Sequence, residues 1–431
     1  MSLHHIIREQ IILPLSDLVN HQQVCRQLRK VREADLWDKE KVRSYQDQQL
    51  RKLLVYVSKE VPFYRDWFSS AGFQPEKVSI KQLPIVNKTL MRKEGIDRFS
   101  AQGFPVGERI TSRTSGSTGE PFTYYESKLS YSVNMAAKLH TWFQAGYRLG
   151  DPYMKIANGE RVGKWKRVQD KMNCCHFVPF YYMEEDMMKT VLNTIEKEKP
   201  GFIRSYPGPL YLLAQYRLSH PEYSFSPRRI FTTGSTLYET YRETIERAFG
   251  CDVIDSYSCE GTPNVYETPA HFGYRITDYY GIIEVLDEHD QPVTDGIGRV
   301  VSTDLWNYAH PFLRYDTQDL VEVRQGSVIS IVGRESNLLR CDNGHVFTVN
   351  NFTRFFVLDV QSVDAFQVVK RKDNAIVFRL VVNDQYKKEI EKFIIDFWRQ
   401  RMGVPIAIEI VDDIPLMNNN KRITIVDETV D

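Results

Sequence analysis

Between residues 150 and 260 short β-branched or aromatic runs alternate with helical patterns, and this alternation constrains the fold more than any other feature. Phe202-Ile203 precedes a helix starting near Gly208-Pro209-Leu210, with Leu212, Leu213 and Tyr216 on one face. Arg229-Ile230-Phe231 leads through Thr232-Thr233-Gly234-Ser235 into a helix over 239–249, and Cys251 to Tyr257 has the character of the next strand. Strands alternating with helices build a partly parallel sheet covered by helices, so an α/β architecture is expected. From 274 to 332 the runs I-I-E-V-L-D, G-R-V-V-S-T-D-L, L-V-E-V-R and V-I-S-I-V are separated only by short turns, which predicts antiparallel strands. Past Gly333 two strand-like runs flank a turn at Lys372-Asp373-Asn374. A helix from about Tyr386 to Met402 follows, stopped by Gly403, and then the strand I-A-I-E-I-V. The expectation is a large N-terminal α/β domain with mixed sheets, residues 1–333, and a small mobile C-terminal α+β domain, residues 334–431, joined by a linker near 333–344.

Upstream, Leu50, Leu53, Leu54 and Val57 have helical spacing and end at Val61-Pro62; short helices fit the stretch to Lys93. A chain of 431 residues is too long for one ordinary core. Lys plus Arg and Asp plus Glu balance at 56 each, with no run of one sign, which argues against a nucleic-acid partner. Six cysteines without a C-x-x-C pair fit reduced thiols better than disulfides or zinc. The sequence begins without a signal-peptide pattern and holds no run of about 20 apolar residues, so no membrane span is expected and a cytoplasmic location is. The oligomeric state, a homodimer included, is left open.

Residues 113–122 read R-T-S-G-S-T-G-E-P-F, between strand-like flanks and ahead of a helix that Ser127 would cap and Gly146 would stop. Ser and Gly are the residues of ordinary polar turns, and taken alone the segment is one. Glycines also let successive N–H groups turn toward one anion, with hydroxyls as further donors, so a phosphate cradle is the second reading. It is not a Walker loop, since no G-K-[ST] follows and it leads into a strand.

The order T-S-G-S-T-G-x-P resembles the phosphate loop of the adenylate-forming superfamily, and the later motifs of that superfamily follow in order. S-Y-S-C-E-G at 256–261 resembles Y-G-x-[ST]-E. H-P-F-L-R-Y-D-T-Q-D-L at 310–320 resembles P-L-I-R-Y-x-T-G-D-L. I-V-G-R-E-S-N-L-L-R resembles the hinge motif, and I-P-L-M-N-N-N-K-R-I resembles the C-terminal lysine motif. With V-S-T-D-L-W-N-Y-A before the third motif, the chain resembles the branch of phenylacetate-CoA ligases and CapK-type capsular polysaccharide proteins. The resemblance runs from about 50 to 425.

The resemblance implies an enzyme in which a carboxylate attacks the α-phosphorus of ATP, giving an acyl-adenylate and pyrophosphate, with Mg²⁺ as cofactor and CoA as acyl acceptor. It assigns Thr114, Ser115, Gly116, Ser117, Thr118 and Gly119 to the phosphates, and Gly234, Ser235, Tyr257, Ser258, Asp319 and Arg334 to the rest of the nucleotide. Tyr257 would lie by the adenine and Asp319 on the ribose. Glu260 would hold Mg²⁺ and Lys421 would assist adenylation, with the hinge at Glu335 to Asn337. The carboxylate would be held near His140, Trp142 and Phe143, near Tyr206, Pro207 and Gly208, and near the turn at 232–237.

Several positions depart from the motifs. Ser258 and Gln318 stand in place of Gly, Asn337 in place of Asp, and Asn420 in place of Gly. The stretch Cys341-Asp342-Asn343-Gly344 lacks the Arg-Gly pair expected after the hinge. Thr268 and Arg275 fall where many relatives carry Cys and His, so no zinc is expected. Glu120, where many relatives place Lys, is expected to point away from the phosphates. Two alternatives follow from these departures: the same adenylation with an amine or carrier acceptor in surface polysaccharide biosynthesis, or a catalytically degenerate nucleotide-binding protein.

Overall fold

The computed structural model describes residues 3–113, 122–158, 163–180, 185–269, 271–333, 338–341, 345–348, 351–352, 355–356, 360, 362–414 and 424–429. The alternation read between 150 and 260 is a seven-stranded sheet. Its order is 271–276, 265–268, 253–257, 229–233, 202–205, 153–158 and 175–180. The five strands from 253–257 to 175–180 run parallel, and 265–268 with 271–276 adds an antiparallel edge.

Successive side chains of a strand point to opposite faces, and the two faces of this sheet are packed differently. Met154, Ile156, Ile203, Ile230 and Val253 are buried with Leu192, Leu210, Leu213 and Ile245 from helices Glu185–Glu198, Pro207–Leu218 and Glu239–Phe249. Phe202, Phe231 and Ile254 face the other way and pack on Val133, Ala136 and Ala137 of helix Lys128–Gln144. Ser127 caps that helix by accepting the Ser130 N–H at 3.0 Å. Trp142 fixes it to the sheet by stacking on Phe231, with ring centroids 4.5 Å apart.

The antiparallel strands expected between 274 and 332 are Gly281–Leu286, Gly296–Asp304, Tyr315–Arg324 and Ser327–Gly333. The sequence reading missed one member of this sheet. Val86–Asn87 pairs parallel with Tyr315–Asp316, then turns at once into helix Lys88–Glu94, which Asn87 caps through the Leu90 N–H. Two residues carry no readable period, so only the tertiary pairing reveals such a strand. Flanking the glycine-rich segment, Arg109–Arg113 pairs antiparallel with Thr123–Ser127, as expected; residues 114–121 lie outside the described set.

In the C-terminal part, strands 406–410, 376–382, 363–370 and 425–427 form a four-stranded sheet in that order, with helix Lys388–Met402 packed on it. Within the linker expected near 333–344 lies the strand Leu338–Arg340, which pairs antiparallel with Val346–Thr348 just beyond it. The cause is burial: Leu339 and Phe347 belong to the same apolar cluster as Phe378 and Trp398. Among the described residues no helix is long and apolar enough to cross a membrane.

Candidate functional site

Two of the sequence motifs meet at the carboxyl ends of the parallel strands, the edge at which open α/β sheets place their ligands. Tyr257 ends the strand Val253–Tyr257, and its hydroxyl donates to Asp319 Oδ2 at 3.0 Å, with Thr317 Oγ1 3.3 Å from the same oxygen. Burial, and then the negative charge of Asp319, raise the Tyr257 hydroxyl well above the ordinary phenol range, so it stays a donor. Three residues on, Glu260 Oε1 accepts from Lys88 Nζ at 2.6 Å and from the Tyr315 hydroxyl at 3.1 Å. Burial alone would raise the Glu260 carboxyl; the Lys88 ammonium and the hydrogen bonds outweigh it and hold the group below the usual carboxylate range.

The local folding explains why these groups converge. Lys88 begins a helix directly after Val86–Asn87, and that strand is in register with Tyr315 and Asp316. One pairing therefore brings both partners of Glu260 to it. Gly261, at φ +68°, is pressed by Phe312; a Cβ there would lie 2.3 Å from Phe312 Cγ. Only glycine allows the two motifs to approach so closely. Arg314 does not reach the site: its guanidinium grips both carboxylate oxygens of Glu284 and donates to the carbonyls of Lys81 and Leu83. Gln318 sits at φ +61°, the backbone conformation for which relatives' glycine is suited, and keeps it at a cost of about 1 kcal/mol.

On the face of the sheet under helix Lys128–Gln144 lies a cavity of about 660 Å³. Thr232, Thr233, Ser256 and Ser258 line the end next to Tyr257. Trp142, Leu139 and Met135 form the helical wall, and Leu13 and Ile12 of the N-terminal helices also line it. Lys138, Lys155 and Arg204 also line it.

The expected residues fall into three groups. Tyr257, Glu260 and Asp319 come together as described, and Ser258 and Trp142 reach the cavity. Tyr206 packs its ring on Gly234, where a Cβ would stand 2.7 Å from Tyr206 Cε1, while Ser235 follows in the same turn. Pro207 and Gly208 are buried in the first turn of their helix. His140 and Phe143 do not line the large cavity. His140 lies 3.4 Å from Asp35 in a separate pocket of about 250 Å³, and Phe143 packs under the guanidinium of Arg32. Thr114, Ser115, Gly116, Ser117, Thr118, Gly119, Glu120, Arg334, Glu335 to Asn337, Asn420 and Lys421 lie outside the described residues.

Sequence reasoning missed Lys88 and Tyr315 beside Glu260, and Lys138, Lys155 and Arg204 in the cavity. None has a local pattern that distinguishes it from a solvated surface residue. Among the described residues no group of three or more His, Cys, Asp or Glu is placed to hold a metal ion.

No protein-family model matches the chain. It is similar to the protein CapK of Staphylococcus aureus, 24% identical over 402 residues that cover 88% of this chain and 87% of that one. It is also similar to a phenylacetate-coenzyme A ligase of Thermus thermophilus, 22% identical over 393 residues, 83% of this chain and 85% of the relative. Among solved structures, 2-hydroxyisobutyryl-CoA ligase in complex with 2-HIB-AMP and CoA superposes with a TM-score of 0.59 at 19% identity, covering 91% of each chain. At that identity the likeness is one of fold.

Proposed function

We propose that the chain is a member of the adenylate-forming superfamily, in the branch of phenylacetate-CoA ligases and CapK, and that it activates a small carboxylic acid with ATP and passes the acyl group to CoA. The observation that carries this reading is the meeting of Tyr257, Glu260 and Asp319 at the strand ends, beside a cavity whose wall includes the neighbours of Tyr257. Support for CoA as acceptor comes from the relatives named as CoA ligases and from the solved ligase holding an acyl-adenylate with CoA.

In the first step a carboxylate oxygen bonds to the α-phosphorus and the bond to the pyrophosphate oxygen breaks. In the second the CoA thiol gives up its proton, its sulfur bonds to the acyl carbon, and the bond from that carbon to the phosphate oxygen breaks, so that AMP leaves. Such chemistry needs charge neutralised and reactants aligned more than it needs covalent help. Asp319 would accept the ribose hydroxyls, oriented by the hydrogen bond from Tyr257. Glu260 suits Mg²⁺, a cation usually bound through one or two carboxylates plus substrate phosphates, and it is an ionised carboxylate with both described contacts on Oε1. Bound magnesium would neutralise phosphate charge there. The roles of residues 114–119, Arg334 and Lys421 rest on the resemblance alone. The division at residue 333 is part of the same reading; the buried cluster from Leu339 to Ile425, which draws on no described residue before 339, supports it.

The test is ATP–pyrophosphate exchange across aromatic, fatty, amino, sugar and dicarboxylic acids, then thioester formation on adding CoA. Exchange with at least one class is expected, and Lys421→Ala should lower it by about 100-fold. Absence of exchange with every class, or unchanged exchange in Lys421→Ala at saturating substrate, would overturn the reading.

A further inference from the structure

Lys138, Lys155 and Arg204 line the cavity beside Tyr257. Lys155 and Arg204 are register partners on adjacent parallel strands, so their side chains emerge next to each other on the same sheet face. Like charges placed opposite one another across strands repel. Lys138, from the helix covering that face, adds a third positive charge. Neither Lys138 nor Arg204 has an ion pair or hydrogen bond among the described residues.

The carboxylate that lines the cavity among the described residues is Asp17. Its two oxygens already accept the N–H groups of Val24 and Cys25, at 3.0 and 2.8 Å. Glu126 raises the affinity of Lys138 for its proton, but weakly. Burial first and Arg204 second pull the Lys138 ammonium down to about 8. Two half-buried cations such as Lys138 and Arg204, side by side and unpaired among the described residues, are costly to keep in a folded protein unless a ligand supplies the missing charge.

We propose that this cavity selects carboxylic acids whose far end carries a second anionic group, with Lys138 and Arg204 as the residues that hold it. The proposal rests on the adenylation reading for the near end: the acid's reacting carboxylate lies toward Thr233, Ser256 and Ser258, and its distal anion lies against the cations. A cavity of about 660 Å³ has room for a dicarboxylate of several methylenes. Leu13, Leu139, Met135 and Trp142 supply apolar wall for those methylenes. A purely apolar or aromatic acid would instead leave the half-buried Lys138 and Arg204 without a partner among the described residues, so the specificity is against such acids as well as for their charged analogues.

Binding and catalysis are measured separately so that each reading can fail on its own. Isothermal titration at pH 8 compares adipate with hexanoate, in two buffers of different ionisation enthalpy. We expect adipate to bind at least tenfold more tightly. Its binding should also take up a fraction of a proton, because an anion beside Lys138 completes the protonation of a group that is only part-charged at that pH. Lys138→Met should abolish both the preference and the proton uptake while leaving hexanoate binding within about twofold. Arg204→Gln, a second variant should the first fold poorly, should remove the preference.

Equal or tighter binding of hexanoate, or failure of adipate to bind, overturns the proposal. Pyrophosphate exchange with the same acids separates it from the reading beneath: preferential adipate binding without exchange sinks adenylation and keeps the charge selection. Exchange driven by hexanoate or phenylacetate but not by adipate does the reverse.

Discussion

Replacing Lys88 by methionine removes the ammonium 2.6 Å from Glu260 while keeping most of the side chain's length. The two side chains are 21% and 11% exposed, so neither is screened as a surface pair would be. Breaking a buried pair by removing one partner costs about 3–5 kcal/mol, whereas a surface pair contributes about 0–1 kcal/mol. Because the Tyr315 hydroxyl still donates to Glu260, the lower part of the buried range applies, and about 3–4 kcal/mol is expected at pH 8.

The pH dependence distinguishes this cause from lost packing. In the native protein the Glu260 carboxyl is held below its ordinary 4.5, so the pair's stabilisation is present above that pH and is lost as pH falls through the folded value. Without Lys88, burial acts largely unopposed and raises the folded value above 4.5. The native state of the variant then holds a proton that the unfolded chain has released, and its stability falls as pH rises through that value. The gap between the two proteins should therefore be small near pH 4.5 and reach its plateau by pH 8. Thermal unfolding at several pH values reads it, at about 2–4 °C per kcal/mol for a domain of this size. The double variant Lys88→Met with Glu260→Gln should recover most of the loss at pH 8. An equal loss at pH 5 and pH 8, or a double variant no better than the single, would refute the reasoning.

Asp304 accepts the N–H groups of Trp306 and Asn307 and the Ser130 hydroxyl, and burial raises its carboxyl to about 7. Its native state binds a proton that the unfolded chain lacks, so stability should decline as pH rises from 3.8 through 7; Asp304→Asn should flatten that slope and be the more stable form at pH 8, as thermal unfolding will show. Gly261→Ala would force a Cβ against Phe312 at a positive φ and should cost about 3 kcal/mol; an unchanged melting temperature would show that the two motifs can separate.

Much of the fold was readable because its strands and helices are long enough to show their periods. The helix after Ser127, the strand at Arg229 and the helix stop at Gly403 were each marked by a residue type with a local physical reason. Within the site, Tyr257, Glu260 and Asp319 were legible through motifs. Their partners were not, because Lys88 meets Glu260 across 172 positions of sequence through a two-residue strand that has no pattern of its own. The cations of the cavity were hidden for a related reason. Lys155 and Arg204 are neighbours only because 153–158 lies beside 202–205 in the sheet, an order that no single segment encodes.

The helices over residues 3–20 carry no motif, yet Arg8, Ile12, Leu13, Ser16 and Asp17 supply part of the cavity wall. Under the proposed function, the helices that would bound the length of the acid are separate in sequence from the motifs proposed to hold the nucleotide. On that reading, the reach of the accepted acid can change through these helices while the nucleotide motifs stay the same. Redesign for a longer or shorter substrate can begin there, leaving Glu260 and Asp319 untouched.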